Sequence, residues 1–254
     1  MALTPLLKIA HYCDRLLETS TFVDSDRALN GLQVENSGRP LRRIAAAVDA
    51  TLATVKLAAA AGANLLVVHH GLFWNKTQPW VGKQYEIIRT LMDNDLAVYS
   101  SHLPLDAHRL LGNNAQLGAA LRFKQPRPFF ENAGRKIGLE FRTRLTREEL
   151  RQRLDEKLGR EPIVAPGGPA VCRRIGIVTG AAGDKLAQAA KEGVDTLITG
   201  EGPHWSFALA EELGINVFYG GHYATETFGV KALAAHLSRK FRVPWLFIEY
   251  PTGL

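Results

Sequence analysis

The sequence predicts an α/β protein made of two related halves. Two observations lead to this fold class. An apolar strand, a helix and a second apolar strand follow one another within about 25 residues, and the same succession returns 131 residues later. The composition agrees, since 46% of the 254 residues are hydrophobic and 22% are charged, as in ordinary globular domains. A chain of this length buries a core without disulfides or structural metals.

The first half is predicted to alternate helices and strands. Apolar residues at helical spacing predict the opening helix, and short apolar runs bounded by turn residues predict the strands. Because a strand, a helix and a strand in succession form a crossover, the strands on either side of the helix Ala50–Ala61 are expected to be parallel. The predicted segments are a helix at Pro5–Leu17, a strand at Leu32–Glu35, a strand at Ile44–Val48, a helix at Ala50–Ala61, a strand at Leu65–Val68, a helix at Tyr85–Asp93 and a strand at Ala97–Ser100.

The middle third of the chain has a different pattern. Alternating residues predict a strand at Lys136–Thr143, and Thr146 with Glu149 has the spacing of a capping box. The helix that this box begins is expected to stop at Gly159. The segment Arg160–Gly168, rich in proline and glycine, is predicted to be a turn.

A repeat relates the two halves. The segment Ile44–Gly71 matches Ile175–Gly202 at a spacing of 131 residues, with strand, helix, glycine and strand in the same order. At a spacing of 120 residues, His102 matches His222 and the Asp106 carboxylate matches that of Glu226. Both halves should therefore present loops at the carboxyl ends of their strands, where α/β sheets bind ligands.

We assign the first half to residues 1–123, completed by residues 220–254, and the second half to residues 124–219. The C-terminal part, with a last long helix at Thr225–Leu237 and a strand at Val243–Tyr250, is thus expected to return to the first half.

His69 and His70 lie side by side at the end of the predicted strand Leu65–Val68, directly before Gly71. Neighbouring strand residues point to opposite faces, but at the end of a strand the chain can turn and bring both imidazoles together. A histidine pair in such a loop indicates metal ligands. The alternative is that these are hydrogen-bonded core or loop histidines without a metal.

His222 and Glu226 are four residues apart near the start of the last predicted helix. Residues at this spacing lie on one helical face, so both side chains can bind one cation. Alternatively, Glu226 only complements the helix dipole, a role that does not require His222. A further carboxylate, Asp106, follows an extended loop that Pro104 stiffens, so its position is expected to be fixed.

Together these residues offer three imidazoles and two carboxylates, more ligands than one tetrahedral ion takes, so two divalent ions are the simplest fit. Nitrogen and oxygen ligands without thiolate do not distinguish Zn, Mn, Fe and Ni. The predicted fold is then two related α/β halves with a metal site between them. The five predicted metal ligands are His69, His70, Asp106, His222 and Glu226.

Three other residues near these loops are candidates for proton transfer, and the sequence does not choose among them. They are His102, Glu201 and His204. Trp74 and Trp205 follow the two equivalent loops, where their rings either stack on a flat ligand or pack between halves or subunits.

Six motifs extend over nearly the whole chain: ALNGLQVENSG, VVHHGLFW, SSHLPLDAH, GNNAQLGAAL, TGEGPHW and GGHYATETFG. They resemble the NIF-three-like family, also named GTP cyclohydrolase 1 type 2 homologues or dinuclear metal-centre proteins. The resemblance implies two α/β halves, a dinuclear metal site between them, toroidal homohexamers, and metal ligands at the same five positions. The family often has Asp where this chain has Glu201, so we expect Glu201 beside the ligands rather than among them.

The expected function is a dinuclear metal-dependent hydrolase, in which two cations polarise a substrate oxygen and activate the attacking water. The resemblance suggests a small-molecule substrate, either a nucleotide or another phosphate-bearing compound. The sequence contains no Walker loop, and no G-x-G-x-x-G motif follows a strand, so the usual nucleotide-binding motifs do not narrow the choice.

An alternative function is a metal-bearing toroidal scaffold that binds nucleic acid or a protein partner. Residues 122–174 contain 14 lysines and arginines against 7 aspartates and glutamates, a net charge of +7 that suits a polyanion. A solvated helix face explains the same residues. A salt-dependent gel shift that survives metal removal would favour the scaffold, and metal-dependent turnover would favour the enzyme. Readily exchanged ions without turnover would indicate metal storage or delivery.

The two cysteines, Cys13 and Cys172, are far apart and form no C-x-x-C motif, which favours a reducing cytoplasm. The N-terminal residues are expected to form the first helix rather than a signal peptide. Charged and polar residues interrupt the most apolar stretch, Ile44–Val68, so we predict no membrane span.

Overall fold

The computed structural model describes residues 5–22, 26–74 and 79–253 and has the predicted α/β fold class. It divides into two compact units, each with its own mixed sheet. The first unit comprises Met1–Leu105 and Gly229–Tyr250, and the second comprises Asp106–Phe228 and Pro251–Leu254. The unit bounds therefore differ from the halves that we assigned from the sequence, which stay a prediction.

The helices and strands alternate along most of the chain, and short 3-10 turns lie at Thr19–Phe22 and Gly183–Lys185. In chain order the elements are α1 (Pro5–Leu16), β1 (Gly31–Val34), β2 (Ile44–Asp49), α2 (Leu52–Ala60), β3 (Leu65–His70), α3 (Lys83–Asp93), β4 (Ala97–Ser100), α4 (Leu103–Asp106), α5 (Asn113–Ala120), β5 (Arg127–Asn132), β6 (Arg135–Thr146), α6 (Arg147–Leu158), β7 (Ile163–Pro166), β8 (Val171–Ile177), α7 (Leu186–Lys191), β9 (Thr196–Thr199), α8 (Ser206–Leu213), β10 (Asn216–Tyr219), α9 (His222–Phe241) and β11 (Trp245–Phe247).

The first unit contains a five-stranded sheet in the order β1-β4-β3-β2-β11. The strands β4, β3, β2 and β11 are parallel, and β1 is antiparallel to β4 at one edge. The central strand β3 is buried from Leu65 to His69, because a parallel sheet covered on both faces needs a continuous apolar strand. Leu66 and Val68 pack there against Val55 and Ala58 of α2.

The second unit contains a six-stranded sheet in the order β5-β6-β8-β9-β10-β7. The strands β8, β9 and β10 are parallel, while β5, β6 and β7 pair with antiparallel neighbours. Its core joins Leu150 and Leu154 of α6 to Phe141 of β6 and Ile177 of β8. The capping box of Thr146 and Glu149 is confirmed, and α6 ends at Gly159 in the left-handed conformation.

The repeat predicted from the sequence corresponds to matching strand triplets. In the first unit β2, β3 and β4 are parallel neighbours, and in the second unit β8, β9 and β10 follow the same order. The carboxyl ends of neighbouring parallel strands lie at the same edge of a sheet. Within each unit, the residues after these strands are therefore brought together.

The prediction of a turn throughout Arg160–Gly168 was wrong, because the segment contains the strand β7. Pro166 in β7 pairs with Asn216 of β10. Proline lacks an N–H donor and is therefore confined to strands at sheet edges, and β7 is an edge strand. Several other elements differ in length from their predictions: β3 continues through His70, α9 begins at His222, β6 extends to Thr146, and β11 spans only Trp245–Phe247.

Replacing Leu66 by Ala should lower the free energy of unfolding by about 2–5 kcal/mol, because the side chain is fully buried in β3 and its loss leaves a cavity. Leu57→Ala is the matched control, since Leu57 lies in α2 with 45% of its surface exposed and should change stability by less than about 0.5 kcal/mol. Chemical denaturation measures both. Equal losses in the two variants would contradict the assigned core.

Candidate metal centre

Three histidines of the first unit lie together at the carboxyl ends of two parallel strands. His69 and His70 are the last residues of β3, and His102 follows its neighbour β4. One ring nitrogen of each residue lies within 4.8 Å of the others. The ring centroids of His69 and His70 are 4.8 Å apart, and that of His102 is 5.0 Å from His69 and 5.5 Å from His70. We call these residues the three-histidine cluster.

Hydrogen bonds fix the rings of the two adjacent histidines. The Nδ1 atom of His69 lies 2.9 Å from the carbonyl oxygen of Ser101, and that of His70 lies 2.8 Å from Oδ1 of Asp49. Carbonyl and carboxylate oxygens accept hydrogen bonds, so both contacts assign the ring proton to Nδ1 and leave Nε2 as the nitrogen with the lone pair. Metal-binding histidines typically hydrogen-bond in this way through the ring nitrogen that does not bind the metal.

The third imidazole has a buried carboxylate as its partner. Nδ1 of His102 lies 2.8 Å from Oδ1 of Asp26, whose side chain is 1% exposed. Burial raises the pKa of Asp26, but the hydrogen bonds from His102, the side chain of Asn30 and the amide of Ala28, together with the charge of His102, outweigh burial and hold the pKa below its usual value.

In the second unit, His222 and Glu226 begin helix α9 and face one another one turn apart. Nε2 of His222 lies 3.1 Å from Oε2 of Glu226, whose side chain is 4% exposed. Nδ1 of the same imidazole lies 2.9 Å from Oε1 of Glu201, the residue after the β9 loop glycine. Glu226 is the fifth residue of α9 and lies beyond its first turn, so the helix dipole does not account for an imidazole held between two carboxylates.

Two loop glycines leave room for this pair. A Cβ at Gly180 would lie 2.3 Å from Oε1 of Glu226 and 3.4 Å from Nε2 of His222, and the φ angle of Gly180 is +71°. A Cβ at Gly200 would lie 2.6 Å from Cα of His222. Gly180 lies three residues after the end of β8, and Gly200 directly follows β9. A larger residue at Gly180 would displace the Glu226 carboxylate, and one at Gly200 would meet the backbone of His222.

Asp106 also belongs to the second unit and is 8% exposed. Its Oδ1 accepts a hydrogen bond of 2.8 Å from Nδ2 of Asn113 and a longer one of 3.4 Å from the hydroxyl of Thr179. Nδ2 of Asn114 donates to the backbone carbonyl of Asp106. These hydrogen bonds hold the carboxylate in place. The prediction of an extended loop before Asp106 was wrong, because Leu103–Asp106 forms the short helix α4.

The predicted ligands fall into two groups by unit. The first unit holds His69 and His70, and the second holds Asp106, His222 and Glu226. The assignment of these five residues as metal ligands stays a prediction.

Sequence reasoning missed the carboxylate partners of His70 and His102. Asp49 pairs with His70 across neighbouring strands, but in the sequence it is only a charged residue within an apolar stretch. Asp26 was not noted at all, because it is 76 residues from His102 in the chain. Aligning the predicted strands β2 and β3 as parallel neighbours could have placed Asp49 beside His70. No local sequence pattern marks Asp26 as the partner of His102.

A cleft of about 700 Å³ opens in the second unit, beside the carboxylate that contacts His222. Trp205 and Phe207 line it with 52% and 40% of their surfaces exposed. Its polar lining includes Glu201, the exposed His204 and the guanidinium-bearing Arg160. We call this feature the Trp205 cleft, and its volume is that of a typical small-molecule site.

Trp74, which follows the loop after β3, packs on the three-histidine cluster. The ring of Trp74 lies 5.2 Å from that of His102, edge to face, and 5.9 Å from that of His70. Its indole N–H donates to the carbonyl of Gly71. These contacts restrict rotation of the two imidazoles.

The fold and these clusters define a protein of two α/β units with candidate metal-binding imidazoles and carboxylates at the ends of parallel strands. Residues 6–252 match the family described as Duf34/NIF3 (NGG1p interacting factor 3), and the chain belongs to this family. The resemblance inferred from the six motifs is thereby confirmed.

Several named relatives have similar sequences over most of their length. The GTP cyclohydrolase 1 type 2 homolog of Deinococcus radiodurans is 43% identical over 231 residues, which cover 90% of this chain and 88% of the relative. The homolog of Halobacterium salinarum is 42% identical over 250 residues, which cover 96% and 97% of the two chains.

A solved structure has the same fold. The chain is similar to TTHA1606 from Thermus thermophilus, with a TM-score of 0.89 and 40% identity, over 97% of this chain and 98% of the other.

Gly180→Ala should displace Glu226 and destabilise the protein more than Gly62→Ala. Both glycines have a φ near +70°, so both variants carry a conformational cost of about 1–2 kcal/mol, but only at Gly180 would the new Cβ meet another side chain. Denaturant unfolding of the metal-free proteins measures the difference. Equal losses in the two variants would mean that Gly180 does not accommodate the carboxylate.

Proposed function

We propose that this protein is a metal-dependent hydrolase with two divalent ions per chain. The observation that supports it most is that the Nδ1 atoms of His69 and His70 each contact a carbonyl or carboxylate oxygen, which leaves Nε2 of both rings suited to coordinate. Nε2 of His222 lies 3.1 Å from Oε2 of Glu226, so these two predicted ligands already face one another. The proposed ligands are His69, His70, Asp106, His222 and Glu226.

The donor set and the space around it fit metal ions. Imidazole nitrogens and carboxylate oxygens without thiolate suit Zn, Mn, Fe or Ni, and carboxylates such as Glu226 can bridge two ions. The glycines Gly180 and Gly200 keep the surroundings of His222 and Glu226 clear of side chains. When bound, divalent ions polarise a substrate oxygen and lower the pKa of a coordinated water.

The chain itself contributes orientation and proton transfer. The Glu201 carboxylate lies 2.9 Å from Nδ1 of His222 and so orients the ring with Nε2 toward Glu226. With 42% of its side chain exposed, the Glu201 carboxylate also lines the Trp205 cleft, where it can exchange a proton with a substrate. His204 lies in the same cleft, and His102 lies in the other unit, so all three proton-transfer candidates remain in the proposal.

The proposed substrate is a small molecule that binds in the Trp205 cleft. The aromatic side chains of Trp205 and Phe207 offer a surface on which a planar ring can stack. A nucleotide or another phosphate-bearing compound agrees with the name that the relatives carry. Arg160 provides a guanidinium for a phosphate, since its only hydrogen bond in the described residues goes to the carbonyl of Gly253.

The scaffold alternative, with nucleic acid bound at residues 122–174, is less well supported. Several basic side chains of this segment contact glutamates, which neutralise their charge locally. These pairs are Arg174 with Glu140, Lys136 with Glu192, Arg151 with Glu148 and Glu161, and Lys157 with Glu156. The pattern favours a solvated, ion-paired surface over a polyanion site.

We further propose that the protein works in the cytoplasm, where the buried thiols of Cys13 and Cys172 stay reduced. None of the helices in the described part of the chain is long and apolar enough to span a membrane.

A closed homohexamer is the expected assembly, since soluble chains usually associate with point-group symmetry and the family resemblance implies a toroid. Light scattering coupled to size-exclusion chromatography should give a mass six times that of the 27.9 kDa chain. A monomer throughout the micromolar range would contradict the proposed assembly.

Elemental analysis of protein purified without chelator or a nickel column should find about two divalent ions per chain. Glu226→Gln preserves the side-chain volume but removes the charge, so metal content should fall while the fold is retained. His222→Ala should lose at least one ion. Both variants should lower the melting temperature only when metal is present, because the lost stabilisation is a binding free energy.

The matched control for these melts is the same set of proteins with chelator. The contrary result is that Glu226→Gln lowers the melting temperature equally with and without chelator and leaves the metal content unchanged. In that case Glu226 would only stabilise the helix, and the proposed ligand set would be wrong.

A further inference from the structure

We propose that the Trp205 cleft selects ligands whose planar ring carries an N–H donor, and that Tyr219 and Glu201 accept the hydrogen bond from this donor. This selection rests on the proposed function, because it narrows the class of small molecule that binds in the cleft. It concerns the hydrogen-bonding edge of the ring, which stacking on Trp205 does not distinguish.

The ring of Tyr219 has a fixed position at the end of β10, where the residue lines the cleft. A Cβ at Gly183 would lie 3.0 Å from Cε1 of this ring, and a Cβ at Gly202 would lie 2.9 Å from the same atom. Two glycines, one after β8 and one after β9, therefore leave the space that the ring fills. Their backbones prevent the tyrosine from rotating as a free surface side chain does.

Two hydrogen bonds determine the direction of the Tyr219 hydroxyl. Oγ of Ser206 lies 2.6 Å from the backbone carbonyl oxygen of Pro203 and 2.6 Å from the hydroxyl oxygen of Tyr219. Because a carbonyl only accepts, the single proton of Ser206 goes to Pro203, and the proton of Tyr219 goes to Ser206. Burial raises the pKa of Tyr219 and keeps this proton on the phenol. The hydroxyl therefore offers only lone pairs to a ligand.

Glu201 adds a second acceptor to the same cleft. Its backbone is fixed after β9, because its amide donates to the carbonyl of Gly180 and its carbonyl accepts from the amide of Gly183. Oε1 lies 2.9 Å from Nδ1 of His222, and 42% of the side chain is exposed, so the carboxylate can also meet a ligand. A carboxylate has no proton to donate.

Arg160 provides the opposite charge in a fixed place. Its Nη1 donates to the carbonyl of Gly253 at 3.0 Å, and a Cβ at Gly221 would lie 2.7 Å from this nitrogen. A ligand with a negative group and a donor-bearing ring satisfies both kinds of polar group in the cleft. A ring with acceptors alone would leave the lone pairs of Tyr219 and Glu201 without partners, which weakens binding.

Three purine nucleotides that share the ring system, the ribose and the phosphate test the selection. Adenosine 5′-monophosphate and 2-aminopurine riboside 5′-monophosphate carry an amino donor, and purine riboside 5′-monophosphate carries none. Isothermal titration calorimetry gives their dissociation constants for the full-length protein, as purified and again in chelator, which stops metal-dependent hydrolysis. We expect at least one amino compound to bind about tenfold more tightly than purine riboside 5′-monophosphate, the effect of about one hydrogen bond.

Tyr219→Phe keeps the ring but removes the acceptor, so it should reduce this preference to less than about threefold. Glu201→Gln should reduce the preference as well, because an amide can turn a donor toward the ring. Tyr85→Phe is the matched control, since it removes an exposed hydroxyl of α3 and should leave all three dissociation constants unchanged. If Tyr219→Phe does not fold, Glu201→Gln decides the question.

Trp205→Ala separates this proposal from the proposed function. If wild type binds the three nucleotides equally and Trp205→Ala weakens all of them, the cleft is the binding site but does not select a donor, and only the present proposal fails. If both acceptor variants keep the wild-type preference, Tyr219 and Glu201 are not the selecting residues. If wild type binds none of the nucleotides, the selection is overturned, while the metal content still tests the metal centre.

Discussion

The contact between the Nδ1 atom of each imidazole in the candidate site and an oxygen atom is the constraint on which the site depends. An imidazole can rotate and exchange tautomers, and only a fixed acceptor makes one nitrogen a dependable ligand. The acceptor is a backbone carbonyl for His69 and a carboxylate for His70, His102 and His222. The acceptors of His69, His70 and His222 in turn depend on the sheets, because they lie in parallel strands or in the loops after them. Asp26 lies instead in the segment before β1.

The same constraint explains why small residues surround the histidines. In the second unit, Gly180 and Gly200 follow parallel strands and pass so close to His222 and Glu226 that a Cβ would collide with them. In the first unit, a Cβ at Gly71 would lie within 2.6 Å of the side chains of Gln33 and Ser100. The close approach of the backbone thus allows polar side chains to be buried together with their hydrogen-bond partners. A buried polar group that lost its partner would cost about 1–3 kcal/mol of stability.

Much of the fold could be predicted because its signals are local. Apolar runs, the capping box at Thr146 and the repeat of a strand–helix–strand unit gave the fold class and the matching strand triplets. The prediction failed at β7, where proline and glycine indicated a turn and a sheet edge accommodated Pro166 instead. Edge position is a tertiary property, since it depends on which strands remain unpaired on one side.

The sequence by itself determined the fold class, the family and the residue types that can bind a metal. Hydrophobic periodicity, motif spacing and side-chain chemistry are local properties of the sequence that do not depend on the tertiary structure. Only the tertiary structure decided that His102 joins His69 and His70, and that Asp26 holds it. The physical reason is that a hydrogen bond between residues 76 positions apart depends on strand order and loop conformation, which no local pattern encodes.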